Sequence, residues 1–341
     1  MTPDLTLFDT WLPLIFYALL GVSMLAYVVL DGFDLGVGIL LRRADSAQQN
    51  RMVASIGPFW DANETWLVLG VGILLVAFPM AHGAILGALY LPVALMLVGL
   101  ILRGVAFDFR VKARDEHRAA WNLAFHGGSV LATFAQGLML GLYITGFADG
   151  GPQLAFALFT GLALAAGYAL LGASWLIMKA EGALQRRAIS WARGSLLLSA
   201  LGVAAVSLAT PLVSQQVFDK WFSFPNLLLL APIPLVTVAL FVVTDYTLRK
   251  LPALLDAGSH AFCWLPFAAT VGVFMLAFFG LAYSLFPYLV VDRITVWEAA
   301  SAPASLKVIL AGVVVVLPTI VAYTAFSYRV FWGKARELSY Q

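Results

Sequence analysis

Nine apolar stretches, each long enough to cross a lipid bilayer, constrain this chain more than any other feature of it. They lie near residues 11–41, 52–78, 83–107, 119–145, 153–178, 188–209, 225–247, 260–286 and 304–330. A hydrocarbon core about 30 Å thick needs about 20 apolar residues per helix. Within lipid, the backbone must satisfy its own hydrogen bonds, and continuous apolar runs do so as helices. The expected fold is therefore all-α: a polytopic membrane protein of about nine transmembrane helices. Composition agrees. Of the 341 residues, 62% are hydrophobic and 11% charged, against roughly 25% charged in a soluble domain.

Lys and Arg in the connecting loops set the orientation. The connections near 42–51, 103–118, 179–193 and 249–250, with the C-terminal tail, hold 17 of the 20 basic residues. The opposite side has Lys220, Arg293 and Lys307. Nine spans then place the N-terminus outside and the C-terminus in the cytoplasm. The N-terminal segment carries Asp4 and Asp9 and no basic residue. It lacks the basic n-region of a signal peptide, so the first run is expected to be retained as a helix. A net charge of +2 argues against nucleic-acid binding. Cys263, the single cysteine, permits no internal disulfide and no CxxC motif.

The chain reads as one integral membrane domain over 1–341. Residues 1–146 and 147–290 form two four-helix halves. Residues 291–341 supply an outer loop, a peripheral last helix and a cytoplasmic tail. A weak internal similarity supports the halves: the first and fifth helices each end inside with an acid and a glycine, Asp34 with Gly36 and Glu181 with Gly182. The longest outer connection, about 287–303, contains Trp297, which suits an interfacial anchor.

Ionisable residues inside a membrane are costly and mark function. Here they converge on the first three helices. The first carries Asp31 and Asp34; the second, Asp61 and Glu64; the third ends with Arg103 and Asp108. Asp31 lies 11 residues before Arg42, and Asp61 lies 10 residues after Arg51. On continuous helices both sit roughly 15 Å in from the basic loop. Residues three apart share a helix face, which pairs Asp31 with Asp34 and Asp61 with Glu64. Arg103 can neutralise one or two of these acids. An inert ion-pair cluster does not need the excess of acid, and a proton path does. Asp61 is the strongest candidate for that path. Gly32, Gly36, Gly38, Gly57, Gly70 and Gly72 accompany the acids and are expected to serve close helix packing. Trp60 and Trp66 flank the acids of the second helix. Of the four histidines, His82 is placed in an outer turn, His117 and His260 in cytoplasmic loops, and His126 inside a helix. They offer no facing pair for a bis-histidine haem, and no metal site is expected.

Several motifs carry a family resemblance. PFWDANETWLVLGVGILLVAFP (58–79) is similar to the second-helix signature of cytochrome bd oxidase subunit II, and LDGFDLGVG (30–38) resembles its first-helix signature. Arg103 and Asp108 match the arginine and acid that close its third helix. LLGASWLIMKAEGALQRRA (170–188) and SLFPYLVVDRITVWEAASAPASL (284–306) resemble two further stretches, in the expected order. The form of residues 62–66 and the short length resemble the cyanide-insensitive branch. Some family members lack an acid at the position of Glu64.

The resemblance implies a haem-free subunit packed against subunit I about a pseudo-twofold axis. Subunit I then carries the b and d haems and the quinol site. The complex would oxidise quinol and reduce dioxygen to water in the bacterial inner membrane. The positions of Asp31, Asp34, Asp61, Arg103 and Asp108 would line a cytoplasmic hydrophilic channel. Trp66 would lie near a dioxygen route. Some members hold a structural quinone in this subunit, and a small single-helix accessory subunit is a further partner the resemblance admits. Two other readings stand beside this one: a proton-coupled secondary transporter and a purely structural membrane scaffold.

Overall fold

A computed structural model describes residues 7–335; Asp4, and Arg336 among the basic residues counted in the C-terminal tail, lie outside the described residues. The spanning helices are α1 (Leu7–Leu40), α3 (Trp60–Ala77), α4 (Pro79–Lys112), α5 (Asp115–Ile144), α6 (Gly151–Lys179), α7 (Gly182–Val213), α10 (Pro232–Asp256), α11 (Leu265–Leu285) and α13 (Pro303–Val330). Short helices fill the connections: α2 (Ser46–Ile56), α8 (Gln215–Phe222), α9 (Asn226–Leu230) and α12 (Val296–Ala299). Among the described residues, nine helices are long and apolar enough to cross a membrane, as the apolar runs require.

The second run departs from expectation. Residues 52–78 do not form one helix; α2 ends at Ile56 and α3 starts at Trp60. Pro58 lacks the N–H that would continue the hydrogen-bond ladder, and Phe59 after it leaves helical geometry at φ −123°, while Gly57 before it stays helical. The break leaves α3 to start afresh beside α1, with Asp61 in its first turn. A helix N-terminus favours negative charge in its first turn. Pro92 acts more mildly in α4, where Leu89 leaves helical geometry at φ −105° and the helix kinks.

Small residues bring the interior helices together. A Cβ on Gly36 of α1 would stand 1.8 Å from the Tyr168 carbonyl of α6, and one on Gly172 would meet Gly36 at 2.3 Å. The α1–α6 crossing therefore requires both glycines. Gly99 and Gly128 play the same part between α4 and α5. Gly32, Gly38 and Gly70 also pack closely, whereas Gly72 faces open space and contributes no such contact.

The main apolar core fills the space between α1, α2, α4, α5, α6 and the first half of α7. Phe33 stacks on Trp175 at 4.1 Å, and the Trp175 indole donates to the Ser55 carbonyl at 3.2 Å. A second core closes the other end of the molecule, where the loop after α11 packs on α1 and α3. That loop holds a short antiparallel pair, Tyr288–Val290 with Ile294–Thr295, and α12, which Thr295 and Glu298 cap reciprocally. Ser301 fastens it to α3 through the Val76 and Ala77 carbonyls, both at 2.8 Å. Trp297 is half-exposed there against Phe286. Lys220 of α8 caps the last carbonyls of α11, Ser284 at 3.1 Å among them.

Helix α13 lies on the outside along most of its length, with large apolar side chains such as Val314, Val315 and Phe326 exposed. Its C-terminal end behaves differently. Lys179 donates to the Phe331 carbonyl at 2.9 Å, Lys334 donates to the Ala180 carbonyl at 2.9 Å, and Phe59 stacks on Tyr328 at 4.4 Å. The peripheral helix is thus pinned at one end to α6 and to the break before α3.

Candidate functional site

Helices α1, α3 and α4 meet at Arg103. This guanidinium is 1% exposed, and its Nη1 lies 2.7 Å from the Asp31 carboxylate. Its Nη2 donates to Glu64. The ring of Trp60 stands 5.9 Å from the guanidinium carbon. Asp34, one turn beyond Asp31 and equally buried, accepts instead from the Asn63 side-chain amide at 2.8 Å. Asn63 is saturated: it also donates to the Leu30 carbonyl at 3.3 Å and accepts from the Tyr328 hydroxyl at 3.2 Å.

A second polar arm leaves Asp31 along α1. Tyr27 stands four residues before Asp31, on the same face of the helix, and is buried like it. Its hydroxyl accepts from Gln136 of α5 at 2.7 Å, and Gln136 in turn accepts from Tyr168 of α6 at 2.9 Å. The polarity runs one way, from Tyr168 through Gln136 to Tyr27, whose hydroxyl oxygen is the acceptor at the end of the chain.

Three carboxyl groups therefore stand near one guanidinium, which pairs with two of them. If all ionise, the group carries excess negative charge in a low-dielectric setting, a condition that favours proton uptake. Asp31 and Asp34 are the buried carboxylates among the described residues. Asp34 Oδ1 and Arg103 Nε find no hydrogen-bond partner in the protein. Buried polar atoms of this kind are ordinarily satisfied by water or another group.

Of the expected site residues, the fold assembles Asp31, Asp34, Glu64 and Arg103. Asp61 stays outside the ion-paired group: it is exposed in the first turn of α3. The equal-depth estimate for Asp31 and Asp61 assumed a continuous second helix, and the Gly57–Phe59 break removes that basis. Asn63 makes the close contact to α1 instead. Asp108 is also exposed; five residues beyond Arg103, it points about 140° away around α4. Trp66 is buried, and its indole N–H has no acceptor among the described residues.

Asn63, Tyr27, Gln136, Tyr168 and Tyr328 were not singled out by the sequence reading. Tyr27 had a usable signal, since it stands four residues before Asp31. So did Asn63, set between the two acids of its helix. Gln136 is an amide within an otherwise apolar run. Nothing local marks Tyr328, which arrives from 265 residues away.

The histidines do not fit a haem held by this chain. His126 directs Nδ1 at the Gly38 carbonyl, 3.1 Å away, beside a glycine packed against Ser129. His82 and His117 lie in the first turns of α4 and α5, rather than in an outer turn and a loop, and His260 lies in the connection between α10 and α11. No cluster of three or more His, Cys, Asp or Glu suited to a metal occurs among the described residues.

Comparison with known proteins agrees with this architecture. The chain is 27% identical to cytochrome bd-I ubiquinol oxidase subunit 2 of Escherichia coli (strain K12), with 94% of each chain covered. It is 27% identical to cytochrome bd ubiquinol oxidase subunit 2 of Bacillus subtilis (strain 168), with 96% of each covered. Its fold resembles a chain of the bd oxidase from Geobacillus thermodenitrificans, with a TM-score of 0.76 and 19% identity, covering 94% of this chain and 98% of that one. Residues 12–331 match the family model of cytochrome bd terminal oxidase subunit II, and the chain belongs to that family, as a multi-pass bacterial membrane subunit of an oxidoreductase.

Proposed function

We propose that this chain is the haem-free partner of a haem-bearing subunit I in a quinol:oxygen oxidoreductase, and that it delivers protons from the cytoplasmic side. The relatives named above as ubiquinol oxidase subunits support the first part. The observation that carries the second is Arg103, shared by Asp31 and Glu64 while Asp34 has only an amide for a partner. One fixed positive charge keeps the cluster hydrated and partly ionised. The acids in excess of it are free to take up and release protons. Asp61 and Asp108 stand exposed near the helix ends that carry the basic connections, and form the entrance. Glu64, 27% exposed, joins them to the buried Asp31 and Asp34. The haems of subunit I supply the reduction of dioxygen.

The same reading places the N-terminus outside and the C-terminus in the cytoplasm. It divides the chain into halves, 1–146 and 147–290, that meet where α1 crosses α6. Trp66, buried beside the acids on α3, borders the route for dioxygen. The apolar outer faces of α3, α4 and α13 are available to subunit I, to a single-helix accessory subunit, to lipid or to a structural quinone. A transporter would place ionisable groups between its two halves. Here the acids and their arginine, Asp31, Asp34, Glu64 and Arg103, come from the first half alone and the second half adds no ionisable group to them, which favours the oxidase reading.

The test is Asp31→Asn and Glu64→Gln in the whole complex. Each should assemble with full haem content and lose about tenfold or more of quinol oxidase activity, the scale of losing a positioned proton donor. Full activity with normal haem content would remove the proton-path role. Loss of the complex itself would assign the acids to helix packing.

A further inference from the structure

A second charged group lies where α1, α2, α4 and α5 meet, apart from the carboxylates. Arg110 of α4 is 5% exposed, yet its hydrogen bonds go to neutral amides. Its Nε donates to the Asn122 side chain, and its Nη2 donates to Asn50 Oδ1 at 2.6 Å. Asn122 donates onward to Gln49 Oε1 at 2.6 Å, and Gln49 donates to the Leu41 and Ala44 carbonyls, both at 3.1 Å. The amides fix the guanidinium without neutralising it.

Beside this cage opens a cavity of about 540 Å³, lined by Arg42, Ser46, Gln49, Arg118, Asn122 and Leu123. Arg118 is close enough for its charge to act on that of Arg110. Asp45, next to Ser46 in the chain, is engaged elsewhere: it caps α2 through the Gln48 N–H at 2.9 Å and pairs with Arg187 at 3.4 Å. The positive-inside rule accounts for basic residues in a loop. It does not account for a buried arginine held in an amide cage against a cavity lined by two more arginines.

We propose that this cavity binds the phosphate group of an anionic ligand. Guanidinium groups match phosphate in shape and charge, and paired donors make such contacts strong. Ser46 and the second N–H of the Asn122 amide add neutral donors. The mouth suits a phosphate ester with an apolar tail. Leu123, 53% exposed, lines it, and the stacked pair Phe109–Trp121, at 5.3 Å, lies nearby on the outer surface of α4 and α5. Aromatic side chains concentrate at the level of lipid head groups. The phosphate can come from a phospholipid or from free phosphate in the cytoplasm.

The experiment compares the intact complex with one carrying Arg42→Gln and Arg118→Gln; Arg110 is left in place to preserve the cage. Haem content reports that the variant has assembled, and Arg42→Gln alone, at an exposed turn, serves if the double variant does not assemble. Native mass spectrometry should find one more retained phospholipid on the unaltered complex than on the variant. After delipidation, phosphatidylglycerol vesicles should raise thermal stability at concentrations about tenfold or more lower for the unaltered complex, as removal of charge-assisted contacts implies. Phosphatidylcholine should show less discrimination. If inorganic phosphate alone gives the difference and no lipid is retained, the site stands and its ligand is free phosphate. Equal lipid retention and equal response to both probes would overturn the proposal.

Discussion

Removing the Arg103 charge should destabilise the complex because of what it leaves behind. Arg103 and Asp31 are 1% and 0% exposed and lie 2.7 Å apart. Breaking a buried ion pair from one side costs about 3–5 kcal/mol, since the remaining charge has no partner. Arg103→Leu should therefore lower the thermal midpoint of the purified complex by roughly 6–10 °C, at about 2 °C per kcal/mol for a chain of this size. Bound haem absorbance during heating is the readout. Adding Asp31→Asn to Arg103→Leu removes the stranded charge. Glu64 is more accessible, at 27% exposed, and can remain hydrated. The double variant should recover about 2 kcal/mol, or roughly 4 °C, within the range of measured coupling between contacting residues. Arg103→Lys should fall between, because an ammonium lacks the planar fork that spans two carboxylates. A double variant no more stable than Arg103→Leu alone would refute the electrostatic argument and assign Arg103 to packing beside Trp60.

Asp61→Asn and Asp108→Asn should leave haem content unchanged and lower quinol oxidase activity several-fold; unchanged turnover in both would remove the exposed acids from the path. Tyr328→Phe deletes the hydroxyl that donates to Asn63 and keeps the stack on Phe59, so it should cost about 1 kcal/mol of stability. No shift in the thermal midpoint, together with unchanged turnover, would show that this hydrogen bond contributes nothing. Reporter fusions at Asp149 and near Asp219 should register outside, and fusions at Asp115 and the C-terminus inside; an outward C-terminus would contradict the proposed orientation.

What the sequence made legible follows from which interactions are local. Span number and placement were readable because lipid imposes one requirement on every helix, and each apolar run answers it alone. The acids stood out for the same reason: a carboxylate in an apolar run is visible without knowledge of the fold. The break at Pro58 was also written in the chain, but the apolar run across it masked the change of direction. Asp61 and Asn63 therefore exchanged roles relative to expectation, because residue depth was counted along a helix that does not continue. Gln136 and Tyr168 become part of the site only through the α1–α5 and α1–α6 packing that glycines permit. Tyr328 depends on the docking of the last helix, and no pattern within α13 distinguishes it from its neighbours.

That docking explains how a helix with little buried surface can still bear on the site. Most of α13 faces outward, so nothing along its length holds its rotation. At its C-terminal end, Lys179 and Lys334 bind carbonyls across the junction with α6, and Phe59 stacks on the ring of Tyr328. These contacts fix the Tyr328 hydroxyl on Asn63, and Asn63 in turn orients its amide toward Asp34. The Asp34 carboxylate and the Leu30 carbonyl are both acceptors and by themselves require the Asn63 NH2 to face α1; the Tyr328 hydroxyl, able to donate or accept, adds a partner for the Asn63 oxygen and restrains the side chain from the other side. The last helix therefore extends the hydrogen-bond network around Asp34 from outside the bundle, through one residue near the end of a helix that is otherwise largely exposed.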